Sequence, residues 1–376
     1  METDSSPPPA ASRQPSRILV RGTNWLGDAV MTTPALLRLR ERFPEAHITL
    51  IGPEKLRGLW LHHPAVNETM AFAPAESVFA IGKKMRAGNF DLALVLPNSP
   101  RSALEIFAAG IPQRVGYARP WRNFFLTQTV PTRAGAVKMH KRSGAEIKQL
   151  ISRRPAPHPP LPAAAHQIFE YLNLVAALGA NPEPLAPQLA VTPEEIEAAR
   201  NKFGLENMIA PVLGMNPGAE YGPAKRWPAE KFIAAAKEIQ HRTNCAWILF
   251  GGKKDQPLTA QIESAIRNPQ SAIFNLAGQT SLRELMSLLK LCRGLLTNDT
   301  GPMHVAAALG TSVVVPFGST SPELTGPGRP GDARHRPLKA DVPCSPCFLR
   351  ECPIDFRCMN SISVERVVTA VLQAVN

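Results

Sequence analysis

Both halves of this chain alternate short apolar runs with amphipathic segments of helical period, and few folds accept that pattern twice in one sequence. In the first half Ile18-Leu19-Val20, Ile48-Thr49-Leu50-Ile51 and Leu92-Ala93-Leu94-Val95-Leu96 read as strands. Residues 29–43, with Val30, Leu37 and Leu39 at helical spacing, read as a helix. Strands apolar on both faces belong to a parallel sheet covered by helices on each side. The alternation pauses at a polar, Pro-rich passage over 153–162, a helix over 167–178 and the linker Asn181-Pro182-Glu183-Pro184. It resumes with strands at 212–215, 247–250, 273–276, 295–297 and 313–316. Helices at 229–241, 258–266, 282–291 and 303–309 separate them, and a helix over 364–375 closes the chain. Two βα series split by a linker imply an α/β protein with two doubly wound, Rossmann-like domains facing a cleft. The expected division is a disordered tail over 1–16, one domain over 17–180 and a second over 181–376. The last helix is free to pack back on the first domain.

A length of 376 residues suits two domains better than one core. No run approaches the roughly 20 apolar residues of a membrane span, and the first sixteen residues lack the apolar centre of a signal peptide. A cytoplasmic protein is expected. The formal charge of +12 asks for an anionic partner: nucleic acid, an anionic membrane surface or a small phosphorylated ligand. The basic residues are scattered and only 6% of residues are aromatic, which argues against nucleic acid.

The loop Gly22-Thr23-Asn24-Trp25-Leu26-Gly27-Asp28 follows a strand and opens a helix. Its glycine spacing matches a phosphate-binding loop, but Asp28 stands where that loop carries lysine, and a carboxylate there repels phosphate. Two readings of Asp28 stand at this point. It is either a general base taking a proton from an acceptor hydroxyl or a helix cap. A helix N-terminus lowers an aspartate's pKa, which keeps it ionised but weakens it as a base.

In the second half five strands end in small or polar loops: Asn216-Pro217-Gly218, Gly251-Gly252-Lys253, Gly278-Gln279-Thr280, Asn298-Asp299-Thr300-Gly301 and Gly318-Ser319-Thr320. A parallel sheet gathers all of these along one edge, the ligand edge. Asn298 to Gly301 leads straight into a helix whose free N–H groups and dipole suit a diphosphate, with His304 a turn further on. Lys225 and Arg226 precede a helix start, where cations are disfavoured unless an anion lies close. A solvated loop and a cap with a structural histidine are the alternatives. Cys344, Cys347, Cys352 and Cys358 form a tight knuckle, a candidate structural zinc staple in a reducing compartment.

Several segments together carry a family resemblance. They are Trp25-Leu26-Gly27-Asp28, Leu96-Pro97-Asn98-Ser99, Ala109-Gly110-Ile111-Pro112-Gln113-Arg114, Pro217 through Pro228, Asn275-Leu276-Ala277-Gly278 and Thr297 through Leu309. From residue 17 to the end the chain resembles glycosyltransferase family nine, the ADP-heptose:lipopolysaccharide heptosyltransferases. The resemblance implies a GT-B fold and inverting transfer of heptose from ADP-heptose, with no cofactor required. The implied acceptor is the first heptose of the inner core, borne on lipid A-Kdo at the cytoplasmic face of the inner membrane. Asp28 falls on the family's general base and Lys225 on its diphosphate-binding lysine. Asp299, Thr300, Gly301 and His304 fall on the donor motif. Glu220 and Tyr221 lie in the loop that touches the donor, Gly218 and Gly252 in the adjoining strand-end loops, and Thr280 near the adenine edge. Arg114, Arg119, Trp121 and Arg122 are candidates for meeting the anionic acceptor, or else an ordinary solvated face. Other core heptosyltransferases, a nucleotide-sugar epimerase and a non-catalytic binding protein are the competing functions.

Overall fold

The structure, a computed structural model, describes residues 14–152, 161–268 and 272–375. The expected tail up to residue 13 and the Pro-rich passage over 153–160 lie outside the described residues.

The first sheet contains β1 (Arg17–Arg21), β2 (His47–Pro53), β3 (Glu68–Phe72), β4 (Leu92–Val95), β5 (Gln113–Tyr117) and β6 (Gln128–Val130). All neighbours pair in parallel, in the order β3-β2-β1-β4-β5-β6. The second contains β7 (Val212–Asn216), β8 (Ala246–Leu249), β9 (Ile273–Asn275), β10 (Gly294–Thr297), β11 (Ser312–Phe317) and β12 (Arg336–Lys339). It is also fully parallel, in the order β12-β11-β10-β7-β8-β9. The two sheets share one winding, in which the direction of strand addition reverses between β1 and β4 and again between β7 and β10. Crevices open outside the carboxyl ends of strands at such points. The central strands are buried on both faces, as their unbroken apolar runs require. β3, β6 and β12 escape a reading of hydrophobic runs because they are sheet edges, carrying polar residues such as Glu68, Gln128 and Lys339.

Three expectations need correction. Residues 29–43 are not one helix: Leu26–Met31 gives way to Thr33–Arg42 at Thr32. There the hydroxyls of Thr32 and Thr33 donate back to the carbonyls of Ala29 and Val30 at 2.6 and 2.8 Å. The first half does not stay on one domain, because the Gly144–Ser152 helix buries Ile147 against Cys344 and Cys347 of the second. Arg142 reinforces this, its backbone N–H donating to Cys347 O at 3.0 Å. The closing helix Val364–Val375 packs on β10, β11, β12 and the Ala229–Thr243 helix, within the second domain rather than on the first. Its buried Val367, Val368 and Val371 join that domain's core cluster.

The domains meet where the Leu26–Met31 helix packs on the Gly301–Ala308 helix. The contact is close because each helix presents a glycine. A Cβ on Gly27 would lie 2.8 Å from the His304 ring, and one on Gly301 would lie 2.9 Å from Leu26. A single apolar cluster consequently runs through both domains, from Ile18 and Met31 to Met303 and Val305. Arg283 adds a polar tie, donating to Glu195 Oε1 at 2.8 Å and to the carbonyls of Ala190 at 2.9 Å and Gly58 at 3.3 Å.

Helix propensity alone favours alanine over glycine at residue 27 by about 1 kcal/mol. Overpacking a buried ring costs about 1–3 kcal/mol, so Gly27→Ala is expected to destabilise the protein. Gly301→Ala should cost less, because half-buried Leu26 can swing aside. Urea or thermal unfolding measures both. A stabilised Gly27→Ala protein would contradict the close packing.

Candidate active site

Asp28 reaches the cleft through the turn that leaves β1. Arg21, the last β1 residue, is buried and pairs with buried Glu105 at 2.8 Å, while its guanidinium also holds Asn24 Oδ1 at 3.1 Å. Moving either partner would leave a charge unpaired in the interior, which fixes the loop. Asp28 then stands in the first turn of the Leu26–Met31 helix. Trp25 is the N-cap residue and no side chain caps the helix, so Asp28 is not a cap. Its carboxylate faces Gln167, whose amide donates to Oδ1 at 3.5 Å and to the Tyr171 hydroxyl at 3.0 Å.

Burial raises the Asp28 pKa above its ordinary 3.8. The Gln167 contact and the charge of Lys225 across the cleft oppose that rise without cancelling it. This reverses the expectation from the helix end alone, because desolvation is the larger effect here.

On the opposite wall the loops leaving β7 and β10 are laced together by amide side chains. Asn298 Oδ1 accepts from the Trp227 N–H at 2.9 Å, and its Nδ2 donates to Pro217 O at 2.7 Å. Asn216 Nδ2 donates to Thr297 Oγ1 at 3.3 Å. The long loop after β7 is thus held against β10, and Lys225 Nζ comes 2.6 Å from Asp299 Oδ2. Thr320, from the β11 loop, donates to the same oxygen at 2.6 Å. Asp299 is buried, and these two partners offset its desolvation. Lys225 Nζ also lies 5.0 Å from the centre of the Tyr221 ring, with Arg350 at 5.2 Å. The Tyr221 hydroxyl donates to Phe348 O at 2.8 Å, and Glu220 is exposed beside it.

The helix after Asp299 offers a diphosphate less than its position suggests. Thr300 is the N-cap, Pro302 has no N–H, and the Met303 N–H turns to Thr300 O at 3.1 Å. Pro302 and Met303 therefore offer no free N–H to an anion at this helix start. His304 is buried against Gly27, and burial pushes its pKa down to about 4 despite nearby Asp299. It is neutral at physiological pH and adds no positive charge.

The remaining expected residues divide. Gly218 leaves room for the Asp255 carboxylate, which would strike a Cβ there. Asp255 accepts from the Gly252 N–H at 3.0 Å and pairs with Arg226 at 3.4 Å, so Arg226 has a counter-charge within the protein. Thr280 is half-buried at the carboxyl end of β9, two strands from β7, or about 10 Å at ordinary strand spacing.

In the first domain Arg119 follows β5 at the cleft end, bonded to Ala118 O at 2.8 Å and Thr132 Oγ1 at 2.9 Å. Trp121 is exposed. Arg114 lies at the opposite end of β5, its guanidinium spent on the carbonyls of Ile111 and Phe125. Arg122 is buried, donating to Asn98 Oδ1 at 3.2 Å, and burial lowers its pKa to about 10. Neither Arg114 nor Arg122 presents an open contact to an acceptor.

Cys344, Cys347, Cys352 and Cys358 line one small cavity beneath the β7 loop. Among the described residues, no three His, Cys, Asp or Glu side chains converge as metal ligands. Burial and their mutual proximity push the Cys344, Cys347 and Cys358 thiols up. The arrangement does not fit a zinc staple. The segment supports the β7 loop through its backbone instead: Arg350 O accepts from the Ala224 N–H at 2.9 Å, and Cys347 and Phe348 donate to Ser319 O at 3.1 and 2.7 Å.

Sequence reasoning passed over Gln167, Tyr171, Thr320 and Asn298. Gln167 sits on a helix whose sequence carries no motif, and only the fold brings it to Asp28. Asn298 and Thr320 lie in loops already marked as ligand-edge loops, so their positions were legible and their contacts were not.

The profile of glycosyltransferase family 9 (heptosyltransferase) matches residues 125–356. Lipopolysaccharide heptosyltransferase 2 of Escherichia coli K12 is 34% identical over 325 residues, covering 83% of this chain and 85% of that protein. Lipooligosaccharide heptosyltransferase 2 of Haemophilus ducreyi is 33% identical, covering 83% and 86%. The solved structure of E. coli ADP-heptose lps heptosyltransferase II superposes with a TM-score of 0.74 at 29% identity, covering 96% of this chain and 98% of that one. With two parallel doubly wound sheets and a matching profile over most of its length, the chain belongs to glycosyltransferase family 9, the heptosyltransferases.

Proposed function

We propose that this enzyme moves a heptose from ADP-heptose to the first heptose of the lipopolysaccharide inner core, with inversion at the anomeric carbon. The observation that carries this reading is the pairing of opposites across the cleft. A half-buried carboxylate with a raised pKa, Asp28, faces the Lys225–Asp299 pair on the other wall. The names of the relatives at 33–34% identity support the choice of acceptor.

In this scheme Lys225 meets the diphosphate and Asp299 holds the ammonium in place. ADP is a stable anion, so departure needs charge neutralisation rather than a strong acid. Asp28 accepts the proton of the attacking acceptor hydroxyl from the opposite side of the sugar. Its raised pKa makes it a better base than an exposed aspartate. The Tyr171 hydroxyl and the Gln167 amide share a hydrogen bond beside it and orient the carboxylate. The acceptor is lipid-linked and anionic, which gives the charge of +12 a use at the cytoplasmic face of the inner membrane.

Purified enzyme incubated with ADP-heptose should extend a core carrying one heptose and leave a heptose-free core untouched. Extension of the heptose-free core, or donor conversion without any acceptor, would overturn the assignment.

Asp28→Asn should cut turnover by about 10²–10⁴-fold. Its effect on stability has the opposite sign. A carboxyl whose folded pKa is raised favours the fold only while protonated, and that contribution is lost as pH rises through the folded value. Above its folded pKa the ionised group is therefore a cost, and there the asparagine variant should melt at the same or a higher temperature than the parent. The acid limb of the parent's pH–rate profile should lie above pH 3.8, the ordinary aspartate value. A clear fall in melting temperature would mean that Asp28 is mainly structural.

A further inference from the structure

On the outer side of the first domain, the Val78–Arg86 and Pro100–Ala108 helices pack side by side, covering the sheet with Ile81, Met85, Ala103 and Ile106. They run in the same direction: Arg101 donates to Glu76 O near their starts, and Arg86 donates to Ala108 O near their ends, at 2.6 and 2.8 Å. The crossover from β5 to β6 returns along the same side, and its Phe125 ring lies 5.6 Å from that of Phe107.

This side turns large aromatic groups to solvent. Phe79 is 76% exposed, Phe107 48%, Trp121 83% and Phe124 87%. Trp121 also sits at a φ of +64°, a region unfavourable for a bulky side chain, immediately before the buried Arg122. Solvated aromatics so numerous on one side mark an interaction surface rather than scattered exposure.

The same elements carry an unbalanced charge. Lys83, Lys84, Arg86 and Arg101 lie on the two helices, and Arg119 begins the crossover. The carboxylates here are Glu76, already paired with Lys84 at 2.6 Å, and buried Glu105, already paired with Arg21 and Arg101. Aromatic rings interleaved with Lys83, Arg86 and Arg119, which have no carboxylate partner among the described residues, suit the headgroup layer of an anionic bilayer, where rings settle at the interface and cations meet phosphates. The Trp121 end of the patch lies at the carboxyl ends of the strands, on the rim of the cleft that holds Asp28.

The geometry points to this helix pair and its neighbouring crossover as the surface that docks the enzyme on an anionic phospholipid bilayer, with Trp121 at the cleft rim. The assignment deepens the transfer reading, which supplies the lipid-anchored acceptor, but its test is independent of transfer.

Full-length protein is sedimented with vesicles of phosphatidylcholine alone and with added phosphatidylglycerol. The parent should partition onto the anionic vesicles and far less onto the neutral ones. Phe79→Ser/Phe124→Ser and Lys83→Glu/Arg86→Glu should each lower that partition by about tenfold or more, since each cation near such a surface contributes appreciably. Both variants should keep the parent's melting temperature and its turnover on a delipidated, water-soluble acceptor. A parent that ignores anionic vesicles, or folded variants that bind them as the parent does, would overturn the assignment. So would variants that change only the oligomeric state, since the face would then meet another protein surface. Transfer to the soluble acceptor is scored separately, so a failed docking surface and a failed transferase reading give different results.

Discussion

Everything in the site depends on how closely two helix starts approach each other across the cleft. Gly27 and Gly301 let the helices after β1 and β10 touch, with the His304 ring on one and Leu26 on the other. Each helix begins at its own sheet's reversal point, so this contact brings the two ligand crevices face to face. Asp28 is one residue beyond the first glycine, and Asp299 two residues before the second. Larger residues at either glycine would wedge the walls apart and separate Asp28 from Lys225. His304 belongs to this joint: it is neutral, buried and in contact with the other domain. A histidine in a donor motif here contributes shape rather than charge.

The second theme is how the protein holds charges it has removed from water. Asp299 is buried, yet a lysine and a threonine hydroxyl converge on one of its oxygens. Lys225 is thereby kept extended and oriented without a ligand, and a diphosphate would meet a cation already in position. Asp28 is treated in the opposite way. Its one side-chain hydrogen bond among the described residues is long, and this contact and the Lys225 charge offset only part of its desolvation, so its basicity rises. Two aspartates of one cleft thus have opposite surroundings, a contrast common at sites where one group orients and another reacts.

Much of this was legible in the sequence, for reasons that differ by element. The central strands announced themselves because burial on both faces demands uninterrupted apolar residues, as in 92–96 and 313–316. The edge strands β3 and β6 did not, since they face solvent and carry Glu68, Thr129 and Gln128. Asp28, Lys225 and Asp299 were recognisable from motifs, because chemistry restricts residue type at those positions. Which neighbour tunes each of them was not. Gln167 lies 139 residues from Asp28, and Arg122 looks like any surface arginine until β5 and its crossover bury it. The cysteine knuckle misled for a related reason: close spacing in sequence brought the thiols to one cavity but not to a common centre.

The central claim is a division of labour, with the donor held by the second domain and the proton taken by the first. Calorimetric titration of ADP into Lys225→Met and Asp28→Asn proteins tests it most directly. Loss of a charged contact to the diphosphate should weaken ADP binding to Lys225→Met by about tenfold to a hundredfold. Asp28→Asn should bind ADP as the parent does, or slightly more tightly once a nearby negative charge is gone. Equal weakening in both proteins, or parental affinity in Lys225→Met, would contradict the division.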